Sequence, residues 1–360
     1  MTREHEIRLA LPGKGALEAS TLAFLAECGM KVNRSNPRQY LASVGSIPGL
    51  GVVFQRAADI PTLVQDGDAT LGITGYDILA EQRGYSDAGI EDDEHDDDII
   101  VLERDLGYGG CRLVVAVPET WIDVSTCADL WHLAGYYTTQ KGRGLRIATK
   151  YPSLTGQFLR HHGITHCKIV SPHGALEAAP LTDTADLIVD LTETGTTLRE
   201  NHLKLLDDGI VLRSQACLIA NARLLSQNKV ALRMVSTILE LIDARMQARN
   251  RSLLTAHLQV ERVEEIQHIH EQLKSRIPDF EFRTASTDRN NFAGRGALSP
   301  HGLSITGVIN VGNTSAELLE TVAVLRDMGA EQIDVTPLTY RFERESVRVR
   351  SLQERLKRLR

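Results

Sequence analysis

The residues of this chain best suited to chemistry gather between Ala185 and Leu198. Leu187, Ile188 and Val189 form a short apolar run of the kind that builds a buried strand, and Asp190 ends it. Thr192, Glu193, Thr194, Gly195, Thr196 and Thr197 follow, and Leu198 to Leu206 then reads as a helix with an apolar face. A strand end, a small-residue turn and a helix start together make an anion cradle. Backbone N–H groups converge there, the hydroxyls donate, and a glycine lets an oxygen approach the backbone closely. A plain threonine-rich helix cap has the same composition, so the loop by itself leaves both readings open.

A second anion-friendly place is the turn Pro12 to Gly15, where Lys14 precedes a helix over Ala16 to Cys28 with Gly29 as its stop. A solvated turn lysine is the plainer reading of Lys14. Two other clusters carry less. The acidic run Glu91 to Asp98 has contiguous carboxylates without the alternation of a calcium loop, which fits a solvated loop. His161, His162, His166 and Cys167, like His268 and His270, match no standard ligand spacing, so no metal site is expected from them.

The chain has 360 residues, enough for two or three cores, with 42% hydrophobic and 24% charged residues. No apolar run reaches membrane-spanning length, and the start lacks a signal peptide's layout, so a cytoplasmic protein without membrane contact is expected. Five dispersed cysteines without a C-x-x-C pair fit reduced thiols. A net charge of −7 argues against nucleic-acid binding. If the ligands are polyanions, the positive charge that meets them must be local.

The elements that must position these residues alternate at close spacing, which predicts an α/β layered fold. Strands are expected at Ile7 to Leu11, Gly51 to Gln55 and Ala69 to Thr74, with Asp77 capping a helix over Ile78 to Gln82. Three glycines between Gly107 and Gly110 suggest a hinge ahead of a strand over Leu113 to Val117. Further strands are expected at Leu145 to Thr149 and Ile169 to Ser171, with Ser153 capping one helix and Gly174 to Pro180 opening another. Val211 to Ala220 reads as one strand returning to the first lobe, and Val230 to Arg249 as a long amphipathic helix. From Leu253 a βαββαβ order predicts a ferredoxin-like domain, with Phe282 to Pro300 as a long connection. In the arginine-rich stretch Arg341 to Arg360, Leu352, Leu356 and Leu359 share one helical face, which fits a packing or subunit-contact helix. The domain layout expected is lobe I over 1–105 and 209–250, lobe II over 106–208, a ferredoxin-like domain over 251–345 and a basic helical tail over 346–360.

The ordered motifs Leu11 to Leu17, Arg56 to Pro61, Leu71 to Asp77, Gly107 to Leu113, Arg146 to Thr155, Gly174 to Pro180 and Ala185 to Leu198 resemble the ATP phosphoribosyltransferase family over about residues 5–250. The resemblance implies a two-lobed, periplasmic-binding-protein-like core. It also implies, beyond Leu253, an ACT-like regulatory domain with histidine as allosteric inhibitor and a homo-oligomer from dimer to hexamer. The implied reaction joins N1 of the adenine of ATP to the anomeric carbon of phosphoribosyl pyrophosphate (PRPP), the first step of histidine biosynthesis. By the resemblance, Asp190, Thr192, Glu193, Thr194, Gly195, Thr196 and Thr197 hold PRPP. Lys14, Arg56, Thr74, Asp77, Arg112 and Tyr151 hold ATP, and Lys14, Arg56, Glu177 and Asp190 serve catalysis. Mg²⁺ is carried mainly by the substrate phosphates.

Adenine N1 already bears a free lone pair, so the attack needs no strong base. This accounts for the lack of a catalytic dyad or triad in the sequence. A non-catalytic small-molecule sensor is the competing class. The joint presence of Lys14, Arg56, Glu177, Asp190 and the threonine loop argues against it, because a sensor needs no site for a leaving pyrophosphate. Transfer to another nucleobase is the second alternative.

Overall fold

The computed structural model describes residues 7–36, 38–84, 98–171, 175–260, 264–276, 281–286, 301–310 and 315–358. Most of the acidic run, Gly174, residues 287–300 of the expected connection and Leu359 lie outside the described residues, and Phe282 to Ser286, expected in that connection, belong to a strand instead. The chain divides into two units, Met1–Ser236 with Ser351–Arg360, and Thr237–Arg350.

The first unit contains two sheets. The chain opens with β1 (Ile7–Pro12), α1 (Ala16–Glu27), β2 (Val32–Asn33), β3 (Leu41–Val44), β4 (Leu50–Gln55), α2 (Ile60–Gln65), β5 (Leu71–Gly75), α3 (Tyr76–Arg83) and β6 (Ile99–Glu103). It crosses to a second sheet through β7 (Cys111–Pro118), α4 (Cys127–Lys141), β8 (Leu145–Thr149), α5 (Pro152–His161), β9 (Cys167–Val170), β10 (Leu187–Thr192), α6 (Thr196–Glu200) and β11 (Leu203–Ser214). It returns through β12 (Ala216–Asn221), α7 (Ala222–Gln227) and the start of α8 (Lys229–Ala248), whose residues from Thr237 on belong to the second unit. The first sheet has the order β2-β3-β4-β1-β5-β12-β6 and the second β11-β7-β10-β8-β9. This is the expected two-lobed α/β core. In the first sheet β4, β1 and β5 run parallel; in the second, β10, β8 and β9 do. Such strands are covered on both faces and read as apolar runs, as Leu187, Ile188 and Val189 do at 0% exposure.

The two crossings lie side by side. Leu106 N–H donates to the Ala216 carbonyl and Ala216 N–H to the Tyr108 carbonyl, both at 3.0 Å. Gly109 in this hinge has φ +69°, and a Cβ there would sit 2.5 Å from Leu17 Cδ2, so a side chain would strain the backbone and displace the end of Leu17.

Several local expectations are corrected. Leu198 to Leu206 is not one helix: α6 stops at Glu200, His202 takes φ +56°, and β11 begins at Leu203 against β7. The leucines at 203 and 206 are buried from a strand, an arrangement their spacing did not distinguish from a helical face. The strand read over Val211 to Ala220 is two strands, in different sheets, that meet at Gln215. The chain therefore re-enters the first sheet at Ala216, and residues 209–214 belong to the second. Of the helix expected to open over Gly174 to Pro180, the described residues from Ala175 on form a single 3₁₀ turn, Leu176–Ala178.

The second unit holds β13 (Arg251–Val260), α9 (Glu264–Arg276), β14 (Glu281–Ser286), β15 (His301–Asn310), α10 (Ser315–Asp327) and β16 (Ala330–Pro337). Its antiparallel order β14-β15-β13-β16 is that of a ferredoxin-like βαββαβ sheet. Leu254, Ala256 and Leu258 alternate into a core with Ile269, Leu273, Ile305 and Leu325. The chain closes with α11 (Val347–Arg358), where Leu352 and Leu356 are buried and Arg355 donates to the Val101 carbonyl. Those leucines pack, as their shared face suggests.

One ion cluster anchors the second sheet at the end where β8 and β10 begin. Asp186 is buried and accepts from Arg143, from the Arg146 side chain and from the Arg146 N–H. Burial pushes its carboxyl up, but these donors outweigh that and hold it well below the usual carboxylate range. Its stabilising contribution is thus full above about pH 4, the unfolded value, and drains away as pH falls toward the depressed folded value. Asp186→Asn should cost about 3 kcal/mol. Thermal melts should show that the gap between wild type and variant shrinks in acid.

Candidate active site

The catalytic candidates follow the carboxyl ends of the parallel strands, where α/β sheets bind ligands. β1 leads to Lys14, β4 to Arg56 and Ala57, β5 to Asp77, β8 to Lys150 and Tyr151, and β10 ends around Asp190. Between them lies a cleft of about 670 Å³. Its lining includes Lys14, Asp77, Tyr151, Glu177, Asp190, Thr192, Glu193, Thr194, Thr196 and Thr197, so ten residues singled out in the sequence meet in one cavity. Cys111 and Ser20, which the sequence did not suggest, also line it.

Four expected residues are not among the lining. Thr74 is fully buried, and its hydroxyl donates to the Ala57 carbonyl at 2.8 Å, so it shapes the turn after β4. Arg56 is exposed at the start of that turn, beside the lining residue Ala57. Arg112 lies in β7 opposite Thr192 and Arg213. Gly195 is buried beneath the threonine loop with φ +77°, and its N–H donates to Thr192 Oγ1 at 2.8 Å.

The threonine loop is organised by its own hydroxyls. Thr194 and Thr196 share a 2.9 Å hydrogen bond, and Arg199 donates to the Thr194 carbonyl and to Thr196 Oγ1, each at 3.3 Å. With only five residues, α6 lends little dipole, so the local positive charge comes from Arg199, a residue the sequence reading passed over. Asp190 Oδ1 accepts the Leu191 N–H at 2.9 Å. Burial raises the Asp190 carboxyl and Glu177 adds to this, while the Leu191 N–H and the nearby Lys150 oppose it. Lys150 was also missed; its signal was its place directly after a parallel strand.

On the other wall, Asp77 is 5% exposed and fully bonded. It lies in the first turn of α3, not at its cap. Oδ1 accepts Ser214 Oγ at 2.6 Å, and Oδ2 accepts the Tyr151 hydroxyl at 2.7 Å. Burial, and then the Asp77 charge, push the Tyr151 phenol far above its ordinary value, so it stays a donor. Ser153, expected to cap α5, lies inside its first turn; Tyr151 holds the cap position.

The expected lack of a metal site from His161, His162, His166 and Cys167 needs one addition. Ligand-capable atoms of His162 lie with those of Cys127 and Asp208 within 4.8 Å of one another. Asp208 Oδ1 there accepts the Cys127 N–H at 2.7 Å, and the thiol points at the Asp208 carbonyl, so Asp208 satisfies an amide in the first turn of α4, whose cap is Thr126 in a capping box with Asp129.

Fold and cleft together define a two-lobed α/β protein with a cleft between its sheets, at the ends of parallel strands. The family model for ATP phosphoribosyltransferase matches residues 56–244. An ATP phosphoribosyltransferase of Rhodopseudomonas palustris is 33% identical over 340 residues, 94% of each chain. One from Brucella melitensis is 45% identical over 219 residues, 60% of this chain and 90% of that one. Among solved structures, an ATP phosphoribosyl transferase (HisG:HisZ) complex from Thermotoga maritima is similar with 26% identity and a TM-score of 0.45, covering 66% of this chain and 98% of the other. The chain belongs to the ATP phosphoribosyltransferase family.

Burial first, and then the Asp77 charge, push the Cys111 thiol up to about 11, against a hydrogen bond with Ser214. At pH ~8.5 its alkylation by iodoacetamide should run about a hundredfold slower than that of a free thiol, and accelerate as pH rises toward that value. Mass spectrometry of the Cys111 peptide measures this; alkylation at the free-thiol rate would refute the environment described.

Proposed function

We propose that this chain transfers the 5-phosphoribosyl group of PRPP to N1 of ATP, giving N1-(5-phosphoribosyl)-ATP and pyrophosphate at the entry to histidine biosynthesis. The observation that carries this reading is a single cleft lined both by the threonine loop with Asp190 and Glu177 and by Lys14, Asp77 and Tyr151. The new bond forms from the N1 lone pair to the anomeric carbon. The anomeric C–O bond breaks, and pyrophosphate leaves with the electron pair. The transition state has oxocarbenium character, so preorganised charge is the main requirement.

In this reading Thr194, Thr196, Thr197 and the backbone around Gly195, with Thr192 and Glu193, hold the 5′-phosphate end of PRPP. Asp190 and Glu177 accept from ribose hydroxyls and offset the positive charge that develops. Asp77 and Tyr151 line the adenine end, and Lys14 meets phosphate oxygens. Arg56 and Arg112 act from outside the lining.

The charge balance of the cleft supports a metal requirement. Among the described lining residues one lysine faces four carboxylates, Asp77, Glu177, Asp190 and Glu193. Two polyphosphates bring more negative charge than the cation of this lining offsets. The oxygen donors fit a hard cation such as Mg²⁺, for which Glu177 and Asp190 would supplement the substrate phosphates. Bound Mg²⁺ supplies charge neutralisation on the leaving pyrophosphate.

We further infer a cytoplasmic homo-oligomer, from dimer to hexamer, and histidine inhibition through the ACT-like domain at 251–345. Among the described residues no helix is long and apolar enough to cross a membrane.

Two variants test the loop. Gly195→Val forces a β-branched residue into φ +77°, with a Cβ 3.3 Å from Arg199 Nη1. Calorimetry should show PRPP affinity lowered by at least about a hundredfold while the far-ultraviolet spectrum is unchanged. Asp190→Asn should lower kcat by about a hundredfold to a thousandfold, with PRPP binding changed far less. Normal PRPP affinity in Gly195→Val would sink the loop assignment.

A further inference from the structure

α5 begins without a cap of its own. Its cap residue Tyr151 makes no capping bond with its side chain, and Pro152 fills the first turn. The next two amides are satisfied from elsewhere: Ser153 N–H donates to Glu81 Oε1 at 2.8 Å and Leu154 N–H to Glu81 Oε2 at 2.9 Å. Glu81 belongs to α3, which follows β5 of the first sheet, whereas α5 follows β8 of the second. Each carboxylate oxygen thus takes one backbone donor from the opposite lobe.

The placement is informative because it is unfavourable locally. Glu81 stands near the C-terminal end of α3, where the helix dipole repels a negative charge, yet it meets the N-terminal end of α5, where the dipole attracts one. Four residues earlier on the same face of α3, Asp77 accepts the hydroxyl of Tyr151. Two carboxylates of one helix therefore hold the start of the other, Asp77 by the side chain of its cap residue and Glu81 by its amides. Asp77 and Tyr151 line the cleft; Glu81 does not.

We propose that Glu81 is a positioning residue, which clamps the start of α5 across the lobes and so fixes Tyr151 at the adenine end of the cleft. This rests on the nucleotide reading of Asp77 and Tyr151 given above. PRPP binding depends on a loop that lies wholly within the second lobe, so the clamp acts on one substrate and spares the other.

Glu81→Ala and Glu81→Gln in the full-length chain test this. In Glu81→Ala the Ser153 and Leu154 amides should exchange faster with deuterium. KM for ATP should rise about tenfold, the scale of losing one charged cap, with KM for PRPP and kcat changed by less than about threefold. Glu81→Gln keeps an acceptor oxygen and should fall between wild type and alanine, which also serves if the alanine variant folds poorly. Faster exchange with an unchanged KM for ATP would reduce Glu81 to a helix cap, and unchanged exchange would remove the clamp; either overturns the proposal. Equal rises in both KM values would overturn it too. Amide exchange is read without substrate, so an inactive wild type would refute the transferase reading alone.

Discussion

A carboxylate taken almost entirely out of water must be bonded, and Asp77 meets that demand with one hydroxyl donor on each oxygen, from two distant parts of the fold. Its own amide and one oxygen meet Ser214, the last residue of β11 before the chain crosses between the sheets. Its other oxygen meets Tyr151, at the start of a helix in the second lobe. Next to this knot the two crossings bond to each other through Leu106, Tyr108 and Ala216, and Tyr76 N–H donates to the Gln215 carbonyl. Removing any one partner would leave a buried charge exposed to the others' geometry. The cleft between the lobes is therefore organised from its hinge outward, with the threonine loop as the part built locally.

That division explains which features were legible in the sequence. The loop at 190–197 and the turn at Lys14 are local: a strand end, small residues and glycine within a few positions specify both. The alternation of apolar runs gave the α/β core, and the βαββαβ order gave the terminal sheet, because period and order are one-dimensional properties. Asp77 was read as a helix cap because aspartate favours caps, whereas its hydroxyl donors lie 74 and 137 residues away. Thr74 looked like a nucleotide contact, but its hydroxyl is used by the Ala57 carbonyl. The first half of β11 reads as helix in the sequence because Leu203, Leu205 and Leu206 suit a helix as well as a strand, and the positive φ of His202 that precedes them is a tertiary outcome. Arg199 and Lys150 were overlooked for a similar reason, since exposed cations carry no spacing signal of their own.

The electrostatics of the cleft follow from the same economy of cations. A chain with net charge −7 that is proposed to bind two polyphosphates has gathered hydroxyls, backbone donors and a few positive groups around a carboxylate-rich floor. Carboxylates repel free phosphates but suit a ribosyl centre that turns positive, and a divalent cation travelling with the substrates reconciles the two. In the function proposed here, binding and catalysis depend on the metal-bound form of the substrates.

The most direct test is to mix the purified protein with ATP, PRPP and Mg²⁺ in the presence of pyrophosphatase and record the ultraviolet difference spectrum of N1-alkylated adenine. The account predicts a signal that grows only when both substrates are present and that is lost in Asp190→Asn. A folded protein that binds PRPP yet gives no signal would contradict it and favour a non-catalytic sensor.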